Sequence, residues 1–235
     1  MANSKLKTQN SKLTTLLLFP AVLAGLVLFS CKNDPAPQTE SATAPKPDTV
    51  RVEPVPTAGA ATFAVTEGTV YWQGKKALGN PHNGTIKVAT GELMVNQGRL
   101  LSGNITLDMT SIAVTNLNDG GEKRDLESHL KDKDFFEVKK FPQAEFVITE
   151  VLPSNLPAFN WVVRGDLTIK DKSHPVNIPV KMTIDGDKLE ATSATFPINR
   201  TQWGINFRSG TLGTAKDKVV EDVVPLSLVL KARRK

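Results

Sequence analysis

Cysteine occurs once in the 235 residues, at Cys31, and tyrosine also once. A lone thiol excludes a disulfide framework. Histidine occurs three times, at His82, His129 and His174. The three are too far apart and too differently placed to form a recognisable zinc motif, so no metal is expected. The chain has no GxxxxGKS/T loop to cradle a nucleotide and no GxSxG elbow for a serine nucleophile. No Asp/Glu pair stands in a context that argues for tuned acid–base work, and no catalytic set or cofactor is expected. The formal charge is +5, but Lys5, Lys7 and Lys12 lie in an acid-free head. Without them 26 basic residues face 24 acidic ones. That balance gives no electrostatic case for nucleic acid.

Long apolar runs are also scarce. The one present, Leu16 to Phe29, follows the Lys-bearing head. A spanning helix needs about 20 apolar residues, so residues 1–30 suit a secretory signal better. The run ends Leu28-Phe29-Ser30-Cys31, which resembles a bacterial lipobox, with Phe29 where a small residue is usual. Lipidation of Cys31 would give the single thiol a use; a signal without a lipid tail, or a short anchor, is the alternative. Each buried methylene of an acyl chain contributes about 0.8 kcal/mol to anchoring. The location expected is the bacterial cell envelope, lipid-anchored at the outer or inner membrane, on the periplasmic or surface face. Residues 31–60 are rich in Pro, Ala, Thr and Ser. They carry too little apolar side chain to offset ordering entropy and read as a flexible tether. Residues 61–235 read as the folded domain.

That domain alternates. Phe63 to Trp72 reads as one bent strand or two short ones around Glu67-Gly68. Gly79 to Gly84 is a loop by its breakers. Thr85–Thr90 and Glu92–Asn96 flank Gly91, as a hairpin or a bulge. Ile105, Leu107 and Met109 share one face. Trp161, Val163, Gly165, Leu167 and Ile169 share another, and Asp171 to His174 reads as a turn. Val176 to Ile184 alternates around Pro179, where the ladder should tolerate a gap. Asp185-Gly186 signals a hairpin into Leu189–Ile198. Val224, Leu226, Leu228 and Leu230 line the last strand. The fold class is all-β: an antiparallel barrel or sandwich of about eight strands with one apolar face each. Such a barrel is either filled by side chains or holds one slender ligand, and periodicity does not separate the two.

One segment breaks the pattern. Glu122 to Lys133 has helical spacing, with Leu126 and Leu130 on one face, and Asp119 with Glu122 resembles a capping box. A short helix of this kind must pack on something. Phe135, Phe136 and Phe141 follow it as apolar anchors. His129-Leu130, Asp134-Phe135-Phe136, Phe141-Pro142 and Phe146 together resemble the signature of the YceI-like family. Trp72 with His82-Asn83-Gly84, Gly103 to Met109 with Ser111-Ile112, Arg164 to Ile169, and Pro197 to Arg200 with Trp203-Gly204-Ile205 resemble its other motifs, in the same order. The resemblance runs from about Thr62 to Ala232. It implies an exported, lipocalin-like antiparallel β-barrel with a short inserted helix. It also implies binding of a long amphiphile, a polyisoprenoid or fatty-acid derivative, without catalysis.

The candidate ligand-binding residues are Phe135, Phe136, Phe146, Trp161, Leu167, Ile169, His82, His129 and Arg200, with Cys31 for lipidation. The aromatic and aliphatic members either fill a core or line a tail channel. His82 lies in a polar loop that could face a barrel mouth. His129 sits beside Leu130, with a structural hydrogen bond as its other reading. Arg200 matches an anionic head group, or else pairs structurally with an acid or carbonyls. Arg124 is a candidate for the same head group, with a solvated helix face as its other reading, and His174 reads as a turn residue. The partners expected are a long-chain lipid or isoprenoid, a membrane reached through Cys31, and, as an open alternative, a second copy in a homodimer. An enzyme using His82 or His129 on a lipid-like substrate, and a filled structural or stress-related barrel, remain as competing readings.

Overall fold

The computed structural model describes residues 58–235. The signal over 1–30, Cys31 and the tether as far as residue 57 lie outside the described residues. Among the described residues are nine strands: β1 (Ala61–Gly74), β2 (His82–Asn96), β3 (Arg99–Val114), β4 (Gln143–Pro153), β5 (Trp161–Ile169), β6 (Lys172–Asp185), β7 (Lys188–Ser193), β8 (Phe196–Asn199) and β9 (Val223–Arg234). One helix, α1 (Gly121–Lys131), stands between β3 and β4. Every pairing is antiparallel, and β1 pairs with both β2 and β9, which closes the sheet. Both β7 and β8 pair with β9 and form one interrupted course, so the barrel is eight-stranded.

The inward residues are those the alternation marks. Ile105 and Met109 are buried, as are Val163, Leu167, Ile169, Val176, Ile178, Val180 and Met182. Three tight hairpins serve the sheet. Gln97-Gly98, Lys170-Asp171 and Gly186-Asp187 join β2–β3, β5–β6 and β6–β7 as two-residue loops. Gln97 and Gly98 have φ of 48° and 75°, and Lys170 and Asp171 have 50° and 57°. Such left-handed pairs match the strand twist. The turn expected at Asp171–His174 therefore lies one step earlier, and Lys172 to His174 already belong to β6.

Other expectations shift for identifiable reasons. β1 is a single strand with an irregularity between Val65 and Glu67, facing β9. Gly91 is no hairpin: β2 runs through it, with a register shift between Val88 and Thr90. The loop before β2 ends sooner than its breakers suggest, because His82, Asn83 and Gly84 pair with β1. The strand expected over Leu189–Ile198 breaks at Ala194-Thr195. The expected ladder gap is real. β6 pairs with β7 only from Val180 onward, and Pro179 contributes its carbonyl alone, accepting from Ala194 N–H at 2.8 Å. Backbone groups alternate in direction, so Pro175 and Pro179 both turn toward the side where β7 has left. Neither has a donor to leave unsatisfied there.

No capping box forms at α1. The N-cap is Gly120, with no side-chain cap, and Asp119 instead accepts from Lys123 Nζ at 2.6 Å. The helix is tied to the barrel by Glu127, whose Oε1 accepts from Val114 N–H at 2.8 Å. It stands at one end of the barrel, where β1, β3, β5 and β8 finish. The tight β2–β3 and β6–β7 hairpins stand at the other.

Candidate ligand-binding site

Under α1 the barrel is hollow. A cavity of about 150 Å³ is lined almost wholly by apolar side chains. The free space in and above it, open solvent included, is about 1250 Å³. Small-molecule sites commonly span roughly 300–1,000 Å³ and are mostly apolar with a few polar groups. Phe135 and Phe136, just after α1, form part of its wall together with Leu130. Phe146, Leu167, Ile169 and Arg200 line it too. A second cavity, of about 40 Å³, lies toward the hairpin end, and Trp161 and Phe146 line that one. Of the nine candidate ligand residues, six therefore border the larger cavity and Trp161 borders the smaller alone.

The two histidines are placed differently. His129 Nε2 lies 3.2 Å from Asp134 Oδ2. Its ring stands edge-on to Phe135 and Phe207, with centroids 5.0 and 4.7 Å apart. It links the helix to the 206–222 segment and is outside both cavity walls. Phe135 is fixed further by Lys170 Nζ, which donates to its carbonyl at 2.9 Å. His82 borders neither cavity, but it pairs across the sheet with Gly74, which does. Its Nδ1 is buried without a hydrogen-bond partner, as is Nε1 of Trp72, a residue of the larger cavity's wall. Trp72 packs against Gly84, where an added Cβ would meet the indole at 2.2 Å.

Arg200 is buried at the rim and makes four hydrogen bonds. Nε donates to Glu221 O at 3.0 Å. One terminal nitrogen donates to Ile205 O at 2.6 Å, and the other to Val220 O at 2.9 Å and Asp222 Oδ1 at 3.0 Å. Burial pulls the guanidinium below its usual pKa, and Asp222 opposes that shift. Asp222 also accepts from Ser209 Oγ at 2.8 Å. Four of the five N–H donors of a guanidinium are thus committed to the chain itself. Next to it Trp203 Nε1 donates to Leu167 O at 3.0 Å, and His174 Nε2 lies 3.0 Å from Gln202 O. His174, expected to be a plain turn residue, stacks edge-on against Trp203 with centroids 5.2 Å apart. Together these groups pack beside the start of β6.

Several wall residues were not among the ligand candidates read from the sequence. Val70, Ile86, Ile112 and Trp203 share the larger cavity. Alternation could have flagged the first three; Trp203 and Phe207 lie in irregular backbone and offer no period. Among the described residues no cluster of His, Cys, Asp or Glu could hold a metal ion, and no helix is long and apolar enough to cross a membrane.

An eight-stranded antiparallel barrel, covered at one end by a helix and hollow along an apolar interior, defines the lipocalin-like class of fold. Residues 51–232 match the model of the YceI-like domain, and the chain belongs to that family. A UPF0312 protein of Staphylococcus aureus (strain USA300) is 34% identical over 109 residues, which are 43% of this chain and 58% of that one. A UPF0312 protein of Yersinia enterocolitica is 31% identical over 84 residues, 36% of this chain and 42% of that one. The chain thus spans about half the length of these relatives. Among solved structures, BcnA of Burkholderia cenocepacia has a TM-score of 0.54 at 24% identity, covering 70% of this chain and 95% of its own. A polyisoprenoid binding domain from Saccharophagus degradans, implicated in plant cell wall breakdown, has a TM-score of 0.51 at 13% identity, covering 74% and 99%. Both likenesses are of fold.

Proposed function

We propose that the protein binds a long-chain amphiphile, a polyisoprenoid or fatty-acid derivative, with its tail in the barrel and without catalysing a reaction on it. The observation that carries this reading is the apolar cavity beneath Leu130, Phe135 and Phe136. An alkyl tail gains roughly 25 cal/mol per Å² it buries there. The unpartnered Trp72 Nε1 and His82 Nδ1 support a polar head group at the helix end of the barrel. The polyisoprenoid binding described for the Saccharophagus domain agrees with this choice of ligand. Gentle purification followed by native mass spectrometry should yield a bound long-chain species. Consistent recovery of ligand-free protein that also takes up no added lipid would defeat the reading.

The second part of the proposal is carriage or sequestration at the bacterial envelope, through an acylated Cys31. It is supported by the Leu28-Phe29-Ser30-Cys31 sequence and by the Pro/Ala/Thr-rich stretch after it. Cys31→Ser should move the protein from the membrane fraction to the soluble fraction while leaving its melting curve unchanged. Persistence in the membrane fraction would sink the anchor.

A further inference from the structure

The two cavities occupy successive levels of one barrel. Along each strand the wall residues sort by level. On β4, Ala144 borders the large cavity and Ile148 the small one; on β9, Leu226 borders the large and Leu230 the small. Four residues border both: Ile105, Phe146, Ile178 and Leu228. They form a ring of side chains between the chambers, a waist. β5 contributes no side chain at this level, because Gly165 stands between Val163 of the small chamber and Leu167 of the large one. The Phe146 ring fills that vacancy: a Cβ on Gly165 would meet Phe146 Cζ at 2.5 Å and Cε2 at 2.7 Å. Phe146 is therefore the largest side chain of the waist, lodged against a wall position kept bare for it.

We propose that Phe146 sets the longest hydrocarbon tail the barrel accepts, by closing the waist between the large chamber and the small one. The inference rests on the tail-binding reading above and goes beyond it in naming the residue that selects chain length. A tail entering at the helix end gains contact with each added methylene until its tip meets the Phe146 ring. Beyond that point further carbons stay outside the apolar interior. The small chamber, bounded by Trp161, Val163 and Ala191, is the space that opens when the ring is removed.

The test uses the purified full-length chain and straight-chain fatty acids from decanoic to tetracosanoic acid, with Kd measured by calorimetry. Wild-type affinity should rise about fourfold per methylene, as apolar burial dictates, then level off. Phe146→Ala should move the plateau a few carbons longer. Phe146→Leu, which disturbs packing less, should move it in the same direction and serves if the alanine variant melts early. Adding Ala191→Leu to either variant fills the small chamber and should return the plateau to its wild-type position. A plateau that stays in place in the Phe146 variants, or one that Ala191→Leu fails to restore, overturns the proposal while tail binding stands. The same series is run with polyprenols of increasing length, and absence of wild-type binding to every member of both series overturns both.

Discussion

Arg200→Met removes a guanidinium while keeping an unbranched stem of similar length. Four hydrogen bonds vanish, three of them to backbone carbonyls of Ile205, Val220 and Glu221. Asp222, whose side chain is only 13% exposed, loses its cation and keeps the hydroxyl donors Ser209 and Thr211. Breaking one side of a buried ion pair costs about 3–5 kcal/mol. Ser209 still partners the carboxylate, and water reaches the exposed Glu221, so the lower end applies, about 3 kcal/mol. At about 2–4 °C per kcal/mol for a domain of this size, the melting temperature should fall by roughly 6–12 °C. Calorimetric melts and urea titrations measure this. Asp222→Asn keeps an acceptor and should cost less. The double variant should cost less than the sum of the singles, since it leaves no unpaired charge. A loss below about 1 kcal/mol would refute the clamp. If stability held and lipid affinity fell instead, the guanidinium would be a ligand contact.

Gly165→Ala should destabilise by about 2–3 kcal/mol through overpacking. The new methyl meets Val147 O at 2.4 Å as well as the Phe146 ring, and the backbone oxygen cannot rotate away. Urea midpoints report the loss, and a neutral result would contradict the close approach. At the start of α1, Lys123 holds the Asp119 carboxyl below its usual 3.8, and Asp119 holds the ammonium above 10.5. The Asp119 share of this support is present above pH 3.8 and lost as pH falls through the lowered value; the Lys123 share is present below pH 10.5 and lost as pH rises through the raised one. Both groups are solvated, so salt screens the pair. Asp119→Asn should speed amide exchange in α1 at neutral pH and low salt, with the difference disappearing in molar salt. Equal exchange in both salts would remove the pair from the account of α1.

Strand faces were legible because one side of every strand meets the interior, and period two records that contact directly. Ile105, Leu107 and Met109, or Leu167 and Ile169, could be placed inward from their spacing alone. The helical spacing of Leu126 and Leu130 located α1, and the family motifs marked Phe135-Phe136 beside it. Hollowness was not legible. A filled barrel and a hollow one share the same alternation, and the difference lies in which side chains fail to meet across the lumen. Nor was the Arg200 clamp. Its partners stand up to 22 residues away in backbone without a period. The break between β7 and β8 at Ala194-Thr195 was not legible either, since neither residue is a glycine or proline that would mark it.

The prolines of β6 have a consequence outside the barrel. Where β7 turns away, β6 keeps a free border from Pro175 to Pro179, and β8 pairs with β9 alone. A strand border without a ladder partner is a template on which another polypeptide can zip, residue by residue. Here the template is mostly blank: between Pro175 and Pro179 only Asn177 offers an N–H in that direction. Copies of the protein crowded side by side could meet along this line without recruiting one another into a shared sheet. Leaving a seam in the wall is thus compatible with staying a separate molecule.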